Sequence, residues 1–212
     1  LCFCAEQGEA AKRMIAGASG NVIIARQEIG GWTDCITERT LILVEDPLLY
    51  FIECLTLFFP TDKETGVRPG SFVDADAKLG EGILIEPGAV VDGGVHIGAG
   101  TQIHSGVRIY KRSKLGQRVI VRSNSVIGAV GLAYGQEKDA AYVPFPHLGG
   151  VEIGDDVDVG ANSTVVKGIL RNTEIGAGTK IGNQVNVGHN VSIGANCFIS
   201  AGAIVCGRAR IG

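Results

Sequence analysis

Hydrophobic residues follow two different rhythms along this chain. From Val73 onward an aliphatic residue stands at every sixth position: Leu79, Ile85, Val91, Ile97, Ile103, Ile109, Leu115, Val121 and Ile127. The series resumes at Ile153, Val159 and Val165, slips by four residues, and continues through Ile175, Ile181, Val187, Ile193, Ile199, Val205 and Ile211. The residue after each is most often Gly, and the residue two before is usually small or β-branched, as at Thr101, Ser125, Thr179, Cys197 and Ala203. A sustained period of six predicts a mainly β protein, a parallel β-helix of hexapeptide repeats. Each hexad supplies a short strand and a turn, with the aliphatic residue and the small residue before it facing the interior and Gly easing the corner. Three hexads close one triangular coil, so positions eighteen apart, such as Ile85, Ile103 and Val121, stack along the axis. One coil cannot bury its own core, so many must stack. An antiparallel sandwich would not hold an unbroken six-step register.

The first 60 residues read differently. The apolar, β-branched runs at 21–25 and 40–44 have the length of buried strands. Residues 9–16 favour a helix that closes at Gly17, and Asp46-Pro47 supplies an N-cap and a first-turn proline for a helix running to about Phe59. Strands alternating with helices predict a small α/β domain over residues 1–60. Residues 61–72, rich in Pro, Gly, Thr and charge, read as a linker, and residues 73–212 as the β-helix.

Two interruptions of the period stand out. Residues 129–150 fit no hexad and are expected to leave the prism as a loop, of the kind that carries binding residues on a rigid scaffold. Tyr134, Tyr142, Phe145 and His147 within it could shape a pocket wall or simply pack back onto the prism. Residues 167–173 form a shorter corner loop.

Composition supports this picture and closes off other classes. The chain has 212 residues, 32 of them glycine, and a formal net charge of −3. That charge gives no electrostatic footprint for nucleic acid, and no apolar run approaches the roughly 20 residues that span a bilayer. The six cysteines form no CxxC or His/Cys ligand pattern, so they read as reduced thiols of a cytosolic protein, with no metal site. The chain starts without Met and ends at Ile211-Gly212, halfway through a repeat, as a piece of something longer would.

Of the four histidines, His96 and His104 read as surface groups. His189 stands two residues after Val187, so its side chain points out of the prism, with Asn183 in the equivalent slot one hexad earlier.

The segments 44–51, 124–128 with Tyr134, 153–162 and 187–194, the last reading Val-Gly-His-Asn-Val-Ser-Ile-Gly, resemble the UDP-3-O-acylglucosamine N-acyltransferases of lipid A biosynthesis. The resemblance implies a left-handed helix and a cytoplasmic homotrimer from a Gram-negative bacterium, with active sites between neighbouring prisms. It implies His189 as the general base and the Gly207 amide as the oxyanion donor, with Asn183 and Asn186, on one face, orienting the sugar. Tyr134 would belong to the acceptor site and Phe3 to a uracil-binding position. The co-substrate would be a hydroxyacyl group on acyl carrier protein, with no resident cofactor. Two alternatives stay open: a related sugar-nucleotide acetyltransferase using acetyl-CoA, and a non-catalytic hexapeptide-repeat scaffold.

Overall fold

A computed structural model describes residues 1–29, 39–60 and 64–212. Cys35 and residues 61–63 of the expected linker lie outside the described residues. The chain divides into two compact units, Leu1–Lys63 and Glu64–Gly212.

The first unit is a parallel three-stranded sheet, in the order Cys2–Cys4, Val22–Arg26, Thr40–Val44, with helices Gly8–Gly17 and Pro47–Phe58. Ala11 and Ile15 of the first helix pack with Cys4, Ile23, Ala25 and Ile29 in a small core. Asp46 caps the second helix as its sequence predicts, accepting hydrogen bonds from the Leu48 and Leu49 amides at 3.1 and 3.0 Å. The first strand had no readable signal, because three residues are too few to show a period. No described helix is long and apolar enough to cross a membrane.

The second unit is the β-helix. Three parallel sheets of seven strands each receive successive strands in turn. Ile85 pairs with Ile103 and Ile103 with Val121, the eighteen-residue stacking the hexads demand. Register survives both interruptions: Val121 pairs with Val159, and Val165 with Val187. The helix starts earlier than the sequence reading placed it. Gly66–Val67, inside the expected linker, already pairs with Leu84–Ile85 as the first rung; Val67 falls one hexad before Val73, and its glycine and charged neighbours disguised the repeat.

The interior is filled by the two predicted positions of each hexad. Ile85, Val91, Ile103, Ile109, Val121 and Ile127 are fully buried, and so are most residues two before an aliphatic position. Where those are Ser or Thr, the hydroxyl usually meets backbone, Ser113 Oγ being the exception, buried without a partner among the described residues. Thr101 Oγ1 donates to the Gly116 carbonyl at 3.0 Å and accepts from the Val119 amide at 3.1 Å, and Ser163 bridges the Gly182 carbonyl and the Val185 amide in the same way.

The glycines after the aliphatic positions are there for a different reason from the one the sequence suggested. A β-carbon on Gly98 would stand 2.5 Å from the backbone of Gly116 in the next coil, so glycine is set by close approach between coils. The left-handed backbone falls three residues after the aliphatic position, where Asn124, Asn190, Asn196 and Arg208 take it as well as glycine.

Candidate active site

One corner of the prism gathers both interruptions. The strands Val126–Ala129, Thr164–Val166, Asn186–Val187 and Ile204–Val205 are successive rungs of the same sheet, so the segments that follow them lie above one another. The long insertion leaves after the first of these strands and folds into an antiparallel hairpin, Tyr134–Gln136 against Tyr142–Pro144. The short insertion leaves after the second, and the turns holding His189 and Gly207 follow the third and fourth.

The two insertions are stitched together by backbone. The Leu148 and Gly149 amides donate to the Ile169 carbonyl at 2.6 and 2.9 Å, and the Thr173 amide donates to the Gly150 carbonyl at 3.0 Å. Asn190 fastens the next turn to the short loop. Its Nδ2 donates to the Arg171 carbonyl at 2.8 Å, its Oδ1 accepts from the Ile169 amide at 3.1 Å, and its own amide donates to Thr173 Oγ1 at 2.9 Å. Asn190 is 7% exposed and adopts φ +58°, a conformation asparagine tolerates better than most residues.

This network fixes the proton on His189. Its Nδ1 lies 3.1 Å from Asn190 Oδ1. That oxygen can only accept, so Nδ1 carries the hydrogen and Nε2 keeps its lone pair. Nε2 lies over Gly207, 2.7 Å from where a β-carbon would stand. Among the described residues the Gly207 amide donates to no backbone or side-chain acceptor, which leaves a donor beside the imidazole.

Behind His189 stands a second imidazole. His147, 8% exposed, meets it edge-on with ring centroids 6.2 Å apart and planes at 87°. His147 Nδ1 lies 3.0 Å from the Phe145 carbonyl, which makes it a donor; Nε2 is a buried acceptor without a partner among the described residues.

His189 and Gly207 open onto a groove of about 870 Å³. Leu132, Tyr134, Phe145, Ile169 and Leu170 give it apolar walls, and Arg171 and Arg208 add charge. Tyr134 is thus a groove residue, one of the two outcomes the sequence left open, with Tyr142 packed edge-on against it at 6.1 Å.

The other expected binding residues are elsewhere. Asn186 is exposed on the strand leading to His189 and does not line the groove. Asn183 stands in the turn that leads into the Asn186–Val187 strand and does not line the groove. It follows Lys180–Ile181, a strand of a different sheet, and its Oδ1 accepts from the Ala161 amide at 2.8 Å. One hexad turns the chain onto the next face of the triangle, so Asn183 and His189, six residues apart, occupy successive corners. Phe3, in the first unit, packs against Phe51 with ring centroids 5.0 Å apart. His96 is exposed, and His104 Nδ1 lies 3.2 Å from Glu86 Oε1.

Asn190, Ile169, Leu170, Arg171 and Arg208 went unread in the sequence. The one available signal was Asn190 and Arg208 at the left-handed corner position of their hexads.

Stacked hexad coils, interrupted at a single corner to build a groove around a histidine, define a hexapeptide-repeat β-helix protein. The bacterial transferase hexapeptide family (six repeats) matches residues 76–111, 94–129 and 172–207. The particular resemblance read from the sequence holds as well: the chain is similar to the UDP-3-O-acylglucosamine N-acyltransferases. It is 36% identical over 156 residues to the one from Coxiella burnetii, covering 65% of this chain and 46% of that protein. It is 39% identical over 160 residues to the one from Aromatoleum aromaticum, covering 68% and 48%. The chain therefore spans about half the length of the curated relatives it matches. A solved UDP-N-acetylglucosamine acyltransferase from Bacteroides fragilis superposes with a TM-score of 0.61 at 24% identity, over 68% of this chain and 55% of that one, a likeness of fold.

Proposed function

We propose that the chain is the catalytic part of an N-acyltransferase, which moves a hydroxyacyl group from acyl carrier protein to the amino group of a UDP-3-O-acylglucosamine-type sugar nucleotide in lipid A biosynthesis. The observation that carries this reading is the placement of His189 Nε2 over Gly207 at the head of an apolar groove. The named function of the similar proteins supports it.

The amine attacks the thioester carbonyl while His189 Nε2 takes its proton. A C–N bond forms, and negative charge gathers on the former carbonyl oxygen. The Gly207 amide is the donor for that oxyanion. Collapse breaks the C–S bond, and the protonated His189 returns its proton to the departing sulfur. Asn190 keeps the imidazole in the tautomer this sequence of transfers requires. Nothing resident beyond these protein groups is called for.

A homotrimer completes the reading. In such an assembly a neighbouring prism would close the groove. Asn183 sits at another corner of the triangle, so it would reach the sugar only as a contribution from that neighbour, with Asn186 on the adjoining face. The substrates place the enzyme in the cytoplasm.

Leu132, Tyr134, Phe145 and Leu170 along the groove favour a long acyl chain over the acetyl group of acetyl-CoA. The test is a side-by-side assay of the full-length protein with UDP-3-O-acylglucosamine as acceptor and either hydroxyacyl carrier protein or acetyl-CoA as donor. Transfer from the carrier protein, abolished by His189→Ala, is the expected result. Transfer from acetyl-CoA alone, or a His189→Ala protein within a few-fold of the parent, refutes it.

A further inference from the structure

The charges around the groove are not balanced like those on the rest of the prism. Elsewhere several exposed cations meet carboxylates of neighbouring rungs: Arg118 meets Asp156 at 2.7 Å, Arg122 meets Asp158 at 2.6 Å and Lys114 meets Glu152 at 3.2 Å. Arg171 and Arg208 line the groove with no aspartate or glutamate beside them, and among the described residues neither guanidinium has an ion pair or hydrogen bond. Both are anchored through their backbones to the His189–Asn190 pair. The Arg171 carbonyl accepts from Asn190 Nδ2 at 2.8 Å, and the Arg208 amide donates to the His189 carbonyl at 2.9 Å.

The positive charge continues past the groove. Lys167, which opens the short loop, is 8% exposed, and its ammonium has no partner among the described residues. Burial lowers its pKa, and Lys111 and Arg112 lower it further. Those two residues follow Arg108–Ile109, a strand lower in the same sheet, so they share this corner. A buried cation without a counter-charge is costly to keep, and with the two unpaired guanidiniums of the groove it gives this corner of the prism an excess of positive charge that favours an anionic ligand.

We propose that Arg171 and Arg208 bind the diphosphate of the sugar-nucleotide acceptor. This rests on the acyltransferase reading above, which puts the acceptor's amine at His189. In a 2-amino sugar 1-diphosphate the phosphate hangs on the carbon next to the one bearing the amine. An amine poised at His189 therefore carries its diphosphate into the same cleft, where two planar guanidiniums match phosphate oxygens. The phosphodiester of an acyl carrier arm is a poorer fit, since the whole pantetheine chain separates it from the thioester.

Calorimetric titration of the full-length protein with UDP and with uridine isolates the diphosphate. UDP should bind the parent at least about tenfold more tightly than uridine. Arg171→Gln/Arg208→Gln should weaken UDP by about tenfold to a hundredfold while leaving uridine unchanged, as expected for lost charge-assisted hydrogen bonds. Arg171→Lys/Arg208→Lys, which keeps the charge, should recover part of the loss, and Arg118→Gln/Arg122→Gln on another surface should bind UDP like the parent. Unchanged UDP affinity in the Gln variant overturns the proposal. So does a loss seen with coenzyme A and absent with UDP, which would assign the arginines to the donor's phosphate. Because the readout is binding, a protein that transfers no acyl group can still support the diphosphate site, and an active enzyme can still refute it.

Discussion

The imidazole of His189 rests against the α-carbon of Gly207, with Nε2 2.7 Å from the place a β-carbon would occupy. Residue 207 therefore does two things: it leaves room for the base and presents an amide next to it. Gly207 does not adopt a left-handed φ, so its lack of a side chain matters for space and not for backbone freedom. Gly207→Ala should leave the coil folded and displace the imidazole. A fall of about a hundredfold in kcat is expected, the scale of a misplacement near 1 Å, with an unfolding midpoint close to that of the parent. Parent-like kcat would show that the contact is incidental.

Asn190 is the clasp between the catalytic turn and the short loop. Asn190→Ala leaves the Ile169 amide and the Arg171 carbonyl without partners and keeps a strained φ, at an expected cost of about 2–4 kcal/mol. Asn190→Gly relieves the strain alone and should recover only part of that. Urea unfolding measures both. The His189 tautomer is released in each variant, so acyl transfer should fall even in the fraction that stays folded; full activity in either variant would remove Asn190 from the site.

Lys167 gives the protein a pH dependence of known sign. Burial holds its ammonium below the ordinary lysine value of 10.5, with Lys111 and Arg112 adding repulsion. The unfolded chain then holds this proton more tightly than the folded one, so stability rises as pH climbs from the folded value toward 10.5 and is lost again as pH falls. Lys167→Met should raise the urea midpoint at neutral pH and flatten this slope. Parallel curves for parent and variant from neutral to alkaline pH would contradict the argument.

Much of the scaffold was readable because a hexad repeats its physics many times. Ile103 and Val121 announce the interior by period alone, and Thr101 and Ser163 betray a narrow inner space that admits small residues with backbone partners. Val67 escaped, since a repeat at the edge of a glycine-rich, charged stretch has no neighbour on one side to confirm it. The site was legible only in part. His189 could be picked out because an outward histidine interrupts a regular pattern, and Tyr134 because it lies in an insertion. His147 could be noticed but not placed, for no local spacing says which way a 22-residue excursion (129–150) folds.

By itself, then, the sequence determined the coil, its register and the two places where the chain leaves it, since these follow from short-range periodicity and from the need of each rung to cover the last. Only the tertiary structure decided that both insertions leave at one corner and are bonded to each other, that Asn190 sets the His189 proton, and that Asn183 does not line their groove. Those relations join residues in different coils, where the turn of the triangle and the stacking of rungs fix distance, and separation along the chain does not.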